Sequence, residues 1–277
     1  MVHEITDIKD PRIGIFTSLT EAQLRMHSER KKGIFIAESP KVIRVAIERE
    51  YRPFAMLCER RHITGDASDI IGMCPDMEIY TGSRDILTAI TGYKLTRGVL
   101  CAIERKELPE LDEICRGACL VGVLQSITDT TNIGAIFRSA SALGVDSLIL
   151  SSDCCDPLNR RAVRVSMGTV FTVPWTISPD PVLKLSEIGF KTASLALSDN
   201  AISLEDSVLK KSKKLAVVFG TEGDGLPQRI IESTDYVVKI PMSHGVDSLN
   251  VAAAAAVTFW ELRNIKESRR QAEDKIY

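Results

Sequence analysis

The run LAVVF at residues 215–219 is apolar at every position, and it belongs to a series. From residue 119 onward the strand-like stretches CLVGVLQSI, DSLILSS, FKTASLAL, LAVVF and YVVKIPM are separated by the helical stretches NIGAIFRSASALG, RRAVRVSMGTVF, PVLKLSEIG and LPQRIIEST. A strand with one wet face alternates apolar and polar residues, whereas a strand apolar throughout has both faces covered, which is the condition of a parallel sheet with helices on either side. A smaller series occupies residues 33–105: GIFIAES, PKVIRVAIERE, PFAMLCE, a helix near Ser68–Met73, MEIYT, SRDILTAIT and GVLCAIE. Strand and helix alternating at this pitch make both halves α/β.

At roughly 150 residues per domain, a chain of 277 predicts two domains. The stretch KELPELDEICRG at 106–117 is charged, holds Pro109 and offers no apolar strand, so it reads as a connection. The expected division is an N-terminal domain at 1–106, a linker at 107–117 and a C-terminal domain at 118–277. A net charge of −2 demands no acidic partner, but bases gathered on one face can be cancelled in the sum by acids elsewhere. Arg30-Lys31-Lys32, Arg60-Arg61, and Arg160-Arg161 with Arg164 are such local concentrations. The opening MVHEITDIKDPR has neither the basic start nor the apolar stretch of a signal peptide, and no run approaches the ~20 apolar residues of a membrane span. A cytoplasmic protein with no membrane partner is expected. Seven cysteines, odd in number and scattered, are unlike the even framework of a small secreted protein. Cys115 and Cys119 have no histidine at ligand spacing behind them, so no metal is expected and the thiols read as buried or idle.

Parallel α/β sheets bind ligands beyond the carboxyl ends of their strands, which singles out three strand-to-helix junctions. In QSITDTTNIGAIFRSA a strand ends near Ile127, and Asn132 is placed either to cap the following helix or to serve a site. Arg138, nearly two turns further on among Ile136, Phe137 and Leu143, calls for a paired anion or a ligand. In LAVVFGTEGDGLP the strand runs into Gly220, Gly223 and Gly225, a backbone that bends sharply and admits a ligand, or else simply turns toward the helix at Pro227. Neither a P-loop nor the dinucleotide fingerprint is matched, which disfavours a nucleotide-dependent oxidoreductase. Glu222 and Asp224 in this loop would repel a phosphate and suit a neutral or cationic ligand. In the third junction the strand YVVKI leads through Pro241 and Gly245 to Asp247, Ser248 and Asn250, and then to alanines at 252–256. Ser248 is a candidate cap for a helix starting near it, but a cap needs one such residue and three are crowded here.

Taken in order, NIGAIFR, VVFGTEGDGLP and IPMSHGVDSLNVAAAAAV resemble the three signature motifs of the SpoU/TrmH-type RNA ribose 2′-O-methyltransferases, members of the SPOUT superfamily. Order, spacing and chemical type agree across residues 119–262. Upstream, GIFIAESPKVIRVAI is similar to the small ribosomal-protein-like α/β domain that binds substrate RNA in many of these proteins. The chain departs from the pattern at Thr130, where Pro is common, at Thr221, where Asn is frequent, and at His244 and Asp247.

The resemblance implies a C-terminal parallel-sheet α/β domain tied in a deep trefoil knot. S-adenosylmethionine would be held by Gly220, Thr221, Gly223, Ile240, Met242, Ser248, Leu249 and, after FKTASLAL, by Leu197. Arg138 would act on the ribose hydroxyl, with Asn132, Glu222, Ser248 and Asn250 holding the arginine, the cofactor and the ribose. A homodimer packed through knot helices is implied, Arg138 reaching the partner's cofactor site and the alanine run serving close packing. Arg160, Arg161 and Arg164, with Lys31 and Lys32, become expected RNA contacts, although the arginine stretch reads equally as an exposed amphipathic helix. Ribosomal RNA is favoured over transfer RNA. The competing reading is an RNA-binding protein of the same fold that has lost catalysis, against which Asn132, Arg138, Glu222 and Asn250 argue.

Overall fold

A computed structural model describes the chain apart from residues 27–32, 92–97, 222, 224 and 266–277, and apart from the side chains of residues 90 and 91. The chain divides into two compact units: Met1–Glu107 together with Pro157–Thr172, and Leu108–Asp156 together with the chain from Val173 onward.

The first unit is a mixed sheet of β1 (Val2–Glu4), β2 (Ile34–Glu38), β3 (Pro53–Glu59), β4 (Glu78–Gly82) and β5 (Val99–Glu104), in the order β1-β4-β3-β5-β2. β5 runs antiparallel to both β3 and β2, while β1, β3 and β4 are mutually parallel. Helix α1 (Pro40–Glu48) starts on Pro40, whose missing N–H is no loss in a first turn, and the Ser39 hydroxyl accepts from the Val42 N–H. Ile34, Ile36, Leu57, Leu100 and Ala102 form the centre of its core.

Residues 157–172 were expected within the C-terminal domain, and the structure groups them with this first unit instead. Their apolar side chains find partners here: Phe171 lies 5.5 Å from Phe35 and 4.9 Å from Tyr51, ring centre to ring centre. Gly168, at φ 87°, sits so close to Val45 that a Cβ would come within 3.1 Å of its side chain. Burial of these groups, not position in the chain, decides membership.

The second unit is a wholly parallel sheet of β6 (Leu120–Leu124), β7 (Ser147–Leu150), β8 (Trp175–Ile177), β9 (Lys191–Leu195), β10 (Ile202–Ser203), β11 (Leu215–Phe219) and β12 (Tyr236–Lys239). Its order is β10-β12-β9-β11-β6-β7-β8. β6, β7 and β11 are buried at every residue, as their apolar runs require, with Ser147 at the start of β7 the one polar side chain among them. The main helices are α2 (Thr130–Leu143), α3 (Gln228–Ser233) and α4 (Val251–Leu262). α4 packs along α2 and lays Phe259 edge-on against Phe219 of β11, 5.3 Å between ring centres. Gly122 makes room for this: a Cβ there would stand 2.6 Å from Leu148 Cδ2 and 3.1 Å from Phe259 Cζ.

Of the linker expected at 107–117, Glu107 belongs to the first unit and residues 108–117 to this one. Leu111, Cys115 and Ala118 are buried in its core, with Ile114 packed against them. Those residues recur at the spacing of one helical face, and the charges between them, which dominate the composition, point outward. All seven cysteines are free thiols, and burial pushes those of Cys58 and Cys155 up to about 12. No helix among the described residues is long and apolar enough to cross a membrane.

Candidate active site

Three connections leave the carboxyl ends of β9, β11 and β12 and enclose a cavity of about 340 Å³, within the ~300–1,000 Å³ typical of small-molecule sites. All the residues expected to hold a cofactor line it: Leu197 beyond β9; Gly220, Thr221 and Gly223 beyond β11; Ile240, Met242, Ser248 and Leu249 beyond β12. Leu197 is 65% exposed and Leu249 37%, which is unfavourable for leucine in water and natural for walls that receive an apolar ligand surface. Asp247 and Lys239 also line the cavity, so it carries one charge of each sign among its described walls, and no arginine.

The glycines divide their work. Thr221 N–H and its hydroxyl both donate to the Gly225 carbonyl, at 3.3 and 3.4 Å, closing the loop as a tight turn. A Cβ on Gly220 would lie 2.6 Å from the Gly225 carbonyl, and Gly225 itself sits at φ 68°. These two glycines serve the turn. At Gly223 a Cβ would meet no described atom within 4 Å, so that glycine faces open space on the cavity side.

The first and third junctions meet through their asparagines. Asn250 Nδ2 donates to Asn132 Oδ1 at 3.0 Å across a separation of 118 residues. Neither expected cap is the actual one. α2 is capped by Asp129, whose carboxylate accepts from the Thr131 and Asn132 N–H groups, and Asn132 stands inside the first turn. α4 is capped by Asn250, which accepts from Ala252 and Ala253, so the helix begins at Val251 and leaves Ser248 free to line the cavity. Capping by Asp129 releases the Asn132 amide to pair with Asn250.

Arg138 lies elsewhere. It is exposed on α2, does not line the cavity, and has no hydrogen-bond or ion-pair partner among the described residues. Six residues at 100° apiece carry it about 120° around the helix from Asn132, onto the face opposite the buried Ile136 and Ile133. The structure therefore brings Asn132, Asn250 and the cavity-lining residues into one region and leaves Arg138 out of it. Glu222, Lys31 and Lys32 fall outside the described residues.

Arg160, Arg161 and Arg164 sit in the first unit, where they line a second cavity with Asn159, Glu21 and Glu38. Arg160 and Arg164 each approach Glu38 Oε2 to 3.7 Å, and Glu38 is only 2% exposed. Burial works against the charge on Arg160, offset by Glu38 and Glu21. Glu38 had not been singled out in the sequence; its signal is a lone acid closing an otherwise apolar strand. Ala254, one of the alanine run, also lines the first cavity, a role that helix propensity gave no hint of.

Known proteins bear on this arrangement. The profile of the SpoU rRNA Methylase family matches residues 120–260. A Mycobacterium tuberculosis protein named as an uncharacterized tRNA/rRNA methyltransferase is 35% identical over 264 residues, 94% of this chain and 91% of that one. The 23S rRNA (guanosine(2553)-2′-O)-methyltransferase of Bacillus subtilis is 28% identical over 220 residues, 75% of this chain and 88% of that one. The crystal structure of the SpoU methyltransferase AviRb from Streptomyces viridochromogenes, in complex with AdoMet, superposes with a TM-score of 0.76 at 25% identity, covering 94% of this chain and all of that one. With its second and third motifs lining one cavity, its first tied to the third through Asn132 and Asn250, and its matched region spanning the second unit's sheet, the chain belongs to the SpoU rRNA methylase family.

Proposed function

We propose that this chain transfers the methyl group of S-adenosylmethionine to a ribose 2′-hydroxyl of ribosomal RNA, in the cytoplasm and as a homodimer. The observation that carries the reading is the convergence of the expected cofactor residues, from three separate connections, on one cavity at the carboxyl end of a parallel sheet. Its walls fit the cofactor. Exposed leucines and Met242 suit an adenine and an aliphatic chain, the glycine turn brings backbone close, and Asp247 suits a cation where an arginine-lined phosphate site would not.

When bound, S-adenosylmethionine supplies a methyl group already activated by its positively charged sulfur. The chain is left with two tasks, to hold the ribose oxygen in line with that methyl and to favour negative charge on it. Arg138 is assigned the second task as a fixed positive charge, since a guanidinium keeps its proton in a protein. Asn132, Glu222, Ser248 and Asn250 are assigned the first. Because Arg138 lies on an exposed face away from its own chain's cavity, it serves the cavity of a second copy. Val257 and Trp260, exposed at 42% and 55%, form with Ala253 an exposed apolar stripe on α4, with the Arg263 guanidinium stacked on the Trp260 ring, and this stripe supports helix-to-helix dimerisation. The sheet order supports a trefoil knot as well: β11 and β12 enter on either side of β9, between strands already laid down. Arg160, Arg161 and Arg164, together with Lys31 and Lys32, are assigned to RNA phosphates.

The test is transfer of labelled methyl to unmodified ribosomal and transfer RNA, followed by alkaline hydrolysis, which a 2′-O-methyl blocks at its own phosphodiester. Ribosomal RNA should carry the label in alkali-resistant dinucleotides. Cofactor binding by calorimetry with no transfer to either RNA would instead favour the RNA-binding protein without catalysis. Arg138→Ala should slow transfer by about 10²–10³-fold and leave cofactor affinity within about twofold; a large loss of affinity would show the role misassigned.

A further inference from the structure

β6 and β7 are neighbouring parallel strands that end side by side, and the two chains leaving them are tied together more densely than a strand-to-helix connection requires. Beyond β6 come Gln125, Ser126 and Ile127 on the way to α2; beyond β7 come Ser151, Asp153, Cys154 and Cys155. Ser126 sits at φ 58°, a left-handed backbone that a non-glycine residue adopts only when its surroundings impose it. Neighbouring side chains impose it here. The Ser126 hydroxyl donates to Asp153 Oδ2 at 2.6 Å, and the Ser151 hydroxyl donates to Asp153 Oδ1. Ser126 N–H donates in turn to the Ser151 hydroxyl at 2.9 Å, and Gln125 Nε2 to the Ser126 hydroxyl at 3.1 Å. On either side, Ser151 N–H and the Cys154 thiol both donate to the Leu124 carbonyl, at 2.9 and 3.1 Å. Ile127 N–H donates to Cys154 Sγ at 3.3 Å, and Cys155 N–H to the Ile127 carbonyl at 2.9 Å.

Asp153 is the centre of this clasp, using one carboxylate oxygen for each serine. It is exposed, does not line the cofactor cavity, and supports no core. What it does hold is the entry to α2. Three residues beyond Ser126 is the cap Asp129, and three beyond that is Asn132, whose amide oxygen receives Asn250. We infer that Asp153 is a positioning residue for methyl transfer: its carboxylate locks Ser126 in the left-handed turn that sets where Asn132 stands against Asn250. The inference rests on the methyltransferase reading above.

The strained turn gives a test that a merely structural role would not satisfy. Asp153→Ala removes the lock, while Ser126→Gly supplies a residue that adopts the left-handed backbone without one. Wild type, both single variants and the double variant are compared for kcat and KM in the RNA methylation assay, for cofactor Kd by calorimetry, for Tm, and for amide exchange in the first turn of α2. Asp153→Ala should lower kcat about tenfold or more, keep KM and Kd within about twofold, keep Tm within about 2 °C, and speed exchange at Ile133 and Gly134. The double variant should recover most of the kcat and of the protection. Wild-type kcat in Asp153→Ala, a double variant as slow as the single one, or a fall in kcat matched by a fall in Tm and a rise in Kd would each overturn the inference. A wild-type protein that transfers no methyl group overturns the methyltransferase reading itself, and is recognised before any variant is compared.

Discussion

Asn250 performs two functions with one amide, and they can be separated. Its oxygen caps α4 by accepting from Ala252 and Ala253, while its nitrogen donates to Asn132. Aspartate caps a helix as well as asparagine does, but it has no N–H to donate. Asn250→Asp should therefore keep stability within about 0.5 kcal/mol while lowering methyl transfer up to about tenfold, the worth of one hydrogen bond. Asn250→Ala should lose both, with Tm down by about 2–4 °C. Thermal unfolding and the transfer assay read the two effects apart, and a variant in which both always fall together would contradict the division. The sequence placed polar residues at both helix entries but not the order among them. Asp129, Thr130, Thr131 and Asn132 are all chemically able to cap, and so are Asp247, Ser248 and Asn250. The choice is made by where the incoming backbone leaves the helical region, which tertiary packing decides. Arg138 shows the same dependence on geometry: its immediate neighbours in sequence are buried, but a helix turns 100° per residue, and its own direction is toward solvent.

At the scale of elements, the turn after β11 makes a pair of opposite predictions. Gly220→Ala would drive a Cβ to 2.6 Å from the Gly225 backbone and 2.8 Å from Leu226 N, so the turn must open. It should cost about 1–3 kcal/mol and weaken S-adenosylmethionine binding at least tenfold by calorimetry. Gly223→Ala meets nothing described within 4 Å, so stability should hold within about 0.5 kcal/mol. Any loss of affinity there then reports a ligand lying against residue 223. Gly220→Ala binding the cofactor as wild type does would remove this turn from the site. Most elements were legible beforehand because their signal is local: LAVVF, LVGVL and the LIL of SLIL are strands by their apolar runs, and PKVIRVAIE is a helix by its period. β8 and β10 were not, being three and two residues long. Strands that short are defined by the neighbours they pair with rather than by their own pattern.

At the scale of the molecule, the chain crosses between its units at three places, after Glu107, after Asp156 and after Thr172. A linear reading allowed one crossing, because composition marks where charge accumulates and not which core a later segment joins. A fragment of residues 108–277 would carry Leu158, Val163 and Phe171 without the strands and rings that bury them. Such a fragment should melt well below the second unit of the full chain, or self-associate, by thermal unfolding and sedimentation. A soluble fragment melting with the full chain would refute the shared core. Removing the segment as well, by joining Asp156 to Val173 through a short glycine-rich bridge, should restore solubility.

The same excursion limits how this protein can be recombined. The front third is not a cassette: its core is encoded in two stretches, and one of them is written inside the other unit's gene segment. Grafting residues 1–107 from a relative with a different substrate would set the donor's β2 against the recipient's Arg160–Val165, and foreign side chains against Phe171. A chimera that carries over the donor's whole first unit must take 157–172 along with it, as two simultaneous exchanges. Evolution faces the same constraint, so the two stretches should change together between relatives even though some fifty residues of the other unit separate them.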